Sequence, residues 1–292
     1  MTQFFRHFRK ALWLALEHDV LNTAKAAAYS GMLALFPALV VLTALLAQVP
    51  QGTSLVGEIR SSFEQFLPAD SMSLLQSALE TRKLHSAQLI FSAASLSVFA
   101  GLGLMLSLMD GFRRAYRQPR DNWGFWQRRF RALLLVPIVL VPLSLATLIL
   151  VFGRQFEAWM IDNAGHELRH FVLFTWRMVR WAISLLTGVS VLGALYHFGT
   201  RHEEHWVWVG PGAIAATVVW FPATLAFGLY VTRIADYSMF YGPFGTGIAT
   251  LVWLYITSFS ALLGAELNGV LFRERQEQAS LSPSPEQECT SL

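Results

Sequence analysis

Residues 262–270 read LLGAELNGV, which places a carboxylate, Glu266, and an amide, Asn268, inside one of the most apolar stretches of the chain. A carboxylate in such surroundings either takes part in chemistry or is neutralised by a partner, because an unpaired buried charge is costly. Four more charged residues stand at the edges of other apolar stretches: Lys25, Asp110, Arg113 and Arg114. Tyr29 follows Lys25 by one helical turn. A lysine, two carboxylates and two arginines on three elements have two uses. They can line a polar cavity that receives a charged head group or a proton, or they can lock helices together by charge.

A second group is Arg177 and Arg180, three residues apart and so on one face of a helix, where they could contact an anion. Snorkelling of both side chains to an interface is the cheaper account. The run HEEH at 202–205 has metal-ligand residue types. It is short and has no further ligands close by, so it reads as a solvated turn. The sequence has no Walker A loop, no GxSxG elbow and no HExxH, and its eight histidines are scattered. With a single cysteine, Cys289, a disulfide within the chain is excluded. The expectation is a protein without a catalytic set, a metal centre or a cofactor.

The elements that position these residues follow from composition. Hydrophobic residues make up 54% and charged residues 14%, with a mean hydropathy of +0.44. Soluble domains carry about 25% charged residues. The apolar residues fall in six blocks, at about 24–49, 87–109, 132–153, 178–198, 207–232 and 244–272. Each reaches the ~20 residues that a membrane-crossing helix needs. They are continuously apolar, without the alternation of barrel strands. The fold class is therefore all-α, a polytopic membrane protein with six transmembrane helices and amphipathic helices at its surfaces.

Arginines and lysines set the orientation. The N-terminal segment (Lys25 included), the loop after the second block, the loop after the fourth and the tail carry 4, 7, 1 and 2. The alternate loops carry 3, 4 (Arg180 included) and 1. The bias lies mainly in residues 111–131, GFRRAYRQPRDNWGFWQRRFR, and predicts cytoplasmic N and C termini. The pI near 9.2 is then explained by basic residues facing anionic lipid, and nucleic acid is not expected as a partner. The first apolar block starts beyond residue 20 and is too long for a signal peptide, so it is expected to remain in the membrane.

Residues 4–19, FFRHFRKALWLALEHD, have apolar residues at helical spacing with Arg6, Arg9 and Lys10 among them, and predict an interfacial helix. The outer segment 50–86 predicts two short helices, interrupted at Pro68, that cap the bundle. Residues 154–177 form another outer segment with helical spacing. Residues 1–275 make one membrane domain, and 276–292 a disordered cytoplasmic tail with little to bury. Pro37, Pro137, Pro142 and Pro222, with Gly101, Gly103, Gly242, Gly264 and Gly269, predict kinks and close packing. If the sixth span starts near residue 244 outside, Glu266 lies ~33 Å further on, close to the cytoplasmic interface.

Four stretches carry a family resemblance: AAAYSGMLALFPAL (26–39), FLPA (66–69), SLMDGFRRAY (107–116) and YGPFGTGIATLVWLYITSFSALLGAELN (241–268). In order and spacing they resemble the YihY/virulence factor BrkB family of bacterial inner-membrane proteins. The resemblance covers nearly the whole chain except the tail. It implies six helices with cytoplasmic termini. It also brings the old ribonuclease BN label, which no residue pattern here supports. Members have been linked to serum resistance and, in one branch, to lipid movement across the inner membrane. Tyr29, Pro37, Asp110, Tyr241, Gly242, Gly264, Glu266 and Asn268 match family-like positions. Asp110 departs from the asparagine common there and adds a negative charge. The leading functional expectation is a transporter or flippase for a lipid or amphipathic anion. The alternative is a non-transporting envelope scaffold. Expected partners are membrane lipids and envelope proteins, and a homo-oligomer is compatible with the sequence.

Overall fold

The computed structural model describes residues 2–46, 87–118, 124–163, 169–200, 206–233 and 245–281. Among the described residues all regular structure is α-helical: α1 (Thr2–Glu17), α2 (Val20–Leu46), α3 (Ala87–Ala115), α4 (Phe125–Asn163), α5 (Arg169–Gly199), α6 (Trp206–Arg233) and α7 (Gly245–Leu281). Helices satisfy their backbone groups within the segment, the condition for crossing hydrocarbon. Six of them, α2 to α7, are long and apolar enough to cross a membrane.

The helices outrun the apolar blocks. α4 begins at Phe125 and continues to Asn163, and α5 starts at Arg169. The helical spacing read in 154–177 thus largely belongs to the ends of these two helices. α7 continues to Leu281, so the first residues expected in the tail are helical. Apolar composition marks only the part of a helix that lies in hydrocarbon, whereas backbone bonding carries it on into the interface. The short helices expected within 50–86, Gly242, HEEH and the remaining tail lie outside the described residues.

α2 to α7 run alternately up and down. Each packs on the next in sequence, and α7 returns against α2, so the six close into a ring. α7 also packs on α3 and on α1. α1 lies beside the last turns of α7. There Ala11 and Leu14 form a buried cluster with Ala215, Leu267 and Val270. The other face of α1 leaves Phe5, Leu12, Trp13 and Leu16 exposed. This helix is apolar towards the bundle and again on its outer side, with Arg9 and Lys10 exposed.

Packing differs sharply between the two ends of the ring. Apart from Ala100 and Ala146 near the middle of their helices, the buried hydrophobic residues all lie in the half nearer α1. Met105, Met109 and Phe112 of α3 meet Leu195 and Tyr196 of α5, Val209 of α6 and Leu262 and Leu263 of α7. All ten residues from 261 to 270 are buried. In the opposite half, every residue of 174–190, 218–231 and 247–257 is half-buried or exposed. The prolines do not end their helices, since α2 runs through Pro37, α4 through Pro137 and Pro142, and α6 through Pro211 and Pro222.

Candidate functional site

The packed half is built around α7. Two of its glycines admit neighbouring backbones. A Cβ on Gly264 would collide with the Gly212 carbonyl of α6, and one on Gly269 with the Ala115 carbonyl at the end of α3. Small residues at such crossings permit the approach that drives helix association in lipid. The α6–α7 crossing is then fixed by Asn268, which is 2% exposed. Its Oδ1 accepts from the Gly212 amide at 2.8 Å, and its Nδ2 donates to the Val209 carbonyl at 3.0 Å. Pro211 brings no N–H and crowds the carbonyl four residues before it. Asn268 supplies an acceptor and a donor next to that perturbation. Two turns away along α7, the Tyr196 hydroxyl donates to the Ala261 carbonyl at 2.6 Å, and its ring meets Phe112 edge-on at 5.3 Å.

Glu266 is 0% exposed. Its Oε1 lies 2.8 Å from Nδ1 of His18, in the turn between α1 and α2. His18 keeps 16% of its side chain exposed. The second carboxylate oxygen, Oε2, is buried without a hydrogen-bond partner among the described residues. The turn itself is held on several sides. Asp19 takes the left-handed conformation, at φ 57°, which aspartate tolerates better than most residues. Its carbonyl accepts from the amide and hydroxyl of Thr23. Arg114 of α3 donates to the His18 carbonyl at 3.2 Å and to Thr23 Oγ1 at 3.1 Å. Arg273 of α7 donates to the Ala115 carbonyl at 3.2 Å. Outside this cluster His7 Nε2 stands 2.8 Å from Glu274, and Lys10 Nζ 3.8 Å.

The residues expected at one polar level therefore separate into groups. Arg114 is linked to Glu266 through His18, whereas Asn268 bonds α6 instead. Lys25 does not join them: it is exposed and donates to Asn22 at 3.1 Å. Tyr29 points outward, 62% exposed. In place of Lys25 or an arginine, the partner of Glu266 is His18. Asp110 and Arg113 form a separate, half-exposed pair at 3.5 Å, and the shorter contact of Asp110 is Arg128 of α4, at 2.6 Å. Arg177 is exposed on α5 and Arg180 half-buried one turn on. Gly101 lies buried near Val136 of α4, Gly103 faces Ser30 of α2, and Pro222 is exposed. No three of His, Cys, Asp and Glu gather closely enough to hold a metal among the described residues.

His18, Arg128, Tyr196, Gly212 and Arg273 escape the reading from sequence. His18 had one available signal, its place where the interfacial helix must turn into the first span beside the bundle.

Six long apolar helices, joined through buried polar contacts, define an integral, multi-pass helical membrane protein. The sequence model of the Virulence factor BrkB family matches residues 14–288, and the chain belongs to that family. Among its relatives is the "Putative ribonuclease-like protein YfkH" of Bacillus subtilis, 27% identical over 89% of this chain and 92% of that one. A "UPF0761 membrane protein" of Chromohalobacter salexigens is 26% identical over 95% of this chain, which spans 66% of the relative. A further "UPF0761 membrane protein", of Vibrio parahaemolyticus, is 27% identical over 90% of this chain and 82% of its own length. The ribonuclease-like name is the Bacillus protein's and is not carried to this chain. No solved structure matches the chain.

Proposed function

We propose that this protein is a transporter that moves a lipid or another amphipathic anion between the leaflets of the bacterial cytoplasmic membrane, with its α1 end facing the cytoplasm. The observation that carries this reading is the uneven packing of the ring. One half is closed by Glu266, Asn268, Tyr196 and the Gly212–Gly264 crossing. In the other half every described residue of α7 from Gly247 to Thr257 is only half-buried, although α7 has helices on several sides. A bundle serving only as an anchor has no use for a loose half, because close contact is what holds membrane helices together. A transporter closed at one end needs both halves.

The orientation rests on the arginine-rich stretch 111–131, of which Arg113, Arg114 and Arg128 lie at the α1 end. The exposed apolar side of α1, with Arg9 and Lys10 close by, suits the inner-leaflet interface. Without a nucleotide-binding loop in the sequence, movement is passive or driven by an ion gradient.

Purified protein reconstituted in liposomes with a fluorescent phospholipid tests the proposal. Exchange of the lipid between leaflets, above that of protein-free vesicles, is expected. Correctly inserted protein with no exchange of lipids or amphipathic anions removes the transport reading and leaves the envelope scaffold.

A further inference from the structure

We propose that Glu266 is a proton-binding site within the membrane domain, and that His18 is the group through which the proton enters and leaves. The proposal deepens the transport reading by naming the ion that acts on the closed half. Its test does not require that transport be seen.

Three observations carry it. Glu266 is fully buried, yet only Oε1 has a partner among the described residues, while Oε2 is buried and bare. A carboxylate serving purely as a permanent lock would have both oxygens satisfied, since each bare buried acceptor on a charged group costs more than one on a neutral group. A half-satisfied carboxyl suits a group that alternates between charged and neutral forms. The sole partner of Oε1 among the described residues is an imidazole, a ring that can hold a proton on either nitrogen and so pass one across itself. His18 is also the member of the pair in touch with the outside, at 16% against 0% exposure. The pair thus connects a sealed carboxyl to the surface through a single ring.

The transfer balances as one proton. In the charged form Glu266 accepts a hydrogen bond from Nδ1–H of a neutral His18. A proton arriving from water binds Nε2 and makes the imidazolium. The Nδ1 proton then passes to Oε1, which leaves His18 neutral with its proton on Nε2 and Glu266 as a neutral acid. One positive charge has been added to the closed half.

The charged groups around the pair come from every element packed on it. α3 contributes Arg114, on the His18 carbonyl, and the turn just after it Arg117. α7 contributes Arg273, with Glu277 beside it. α1 contributes His7 and Lys10, which are engaged by Glu274. From α2, Thr23 bonds Arg114 and the exposed Lys25 is turned to Asn22. α6 presents Gly212, held by Asn268, and α5 the buried Tyr196.

Infrared difference spectra of the full chain in nanodiscs, titrated between about pH 4 and about pH 9, read the carboxylic-acid carbonyl directly. The wild type is expected to gain one buried carbonyl band as pH falls, and Glu266→Gln to lack it. His18→Gln, which keeps a hydrogen-bonding group beside Oε1, is expected to move the midpoint by about one pH unit or more, a tenfold change in proton affinity. No Glu266-dependent band across the range overturns the site. A midpoint unmoved by His18→Gln overturns the entry route, and decides the matter even if Glu266→Gln does not fold. Absence of lipid exchange in liposomes would remove the transport reading and leave the band standing.

Discussion

His18 and Glu266 are 248 positions apart in the sequence and 2.8 Å apart in the structure. The contact ties the turn between α1 and α2 to the most deeply buried stretch of α7, and among the described residues it is the only hydrogen bond of an otherwise enclosed carboxyl.

Removing His18 leaves the buried carboxyl of Glu266 without its hydrogen-bond donor. His18→Ala is expected to destabilise the folded protein by roughly 1.5–3 kcal/mol, the worth of a hydrogen bond to a charged group. Adding Glu266→Gln should restore most of that loss, because the orphaned charge goes with it. Unfolding of the single and double variants in detergent measures both. Additive losses would mean that the two residues do not interact.

The α6–α7 crossing depends on Asn268 more than on any apolar neighbour. Asn268→Leu keeps the bulk but strands the Gly212 amide and the Val209 carbonyl, and about 1–2 kcal/mol should be lost. Gly212→Ala drives a methyl group into the Gly264 carbonyl and the Asn268 amide, and is expected to cost about 1–3 kcal/mol. Thermal unfolding of each variant is the check. Wild-type stability in Gly212→Ala would show that the helices do not cross there.

Asp110 and Arg128 are closer still, at 2.6 Å, but both remain about one-third exposed. Water and head groups screen such a pair, so a double-mutant cycle with Asp110→Asn and Arg128→Gln should return a coupling of about 0–1 kcal/mol. A coupling several times larger would place the pair in a drier setting than its exposure indicates.

Arg117 ends α3 in the left-handed region, at φ 50°. Its amide donates to the Arg114 carbonyl and that of Gln118 to the Arg113 carbonyl, the bonding of a Schellman cap. Glycine is the usual residue there. Arg117→Gly is expected to stabilise the fold by about 0.5–1 kcal/mol, read as a higher unfolding temperature. A loss instead would mean that the Arg117 side chain holds more than its backbone strain costs.

The sequence carried the membrane helices plainly, because hydrocarbon demands long apolar blocks and the chain supplies six. It also carried the burial of Glu266, through Gly264 and Gly269 on either side. It did not carry the rotation of each helix. Lys25 and Thr23 are two residues apart, yet Thr23 faces Arg114 and Lys25 faces outward. In a block that is apolar all round, no polar face reveals which side looks inward. The partner of Glu266 was hidden for a related reason: His18 lies in a turn outside every block, where hydropathy is silent. Arg128 was one of seven arginines in a single stretch, with nothing in its type to single it out for Asp110.

The central claim is that the ring is closed at its α1 end and accessible in its opposite half. With Cys289 replaced by serine, single cysteines placed from Ile248 to Thr257 and from Ser260 to Leu267 can be exposed in intact cells to a membrane-impermeant maleimide added outside. The account predicts modification along one helical stripe of the first set and none in the second. Protection of every position in the first set, or modification reaching Glu266→Cys from outside, would contradict it.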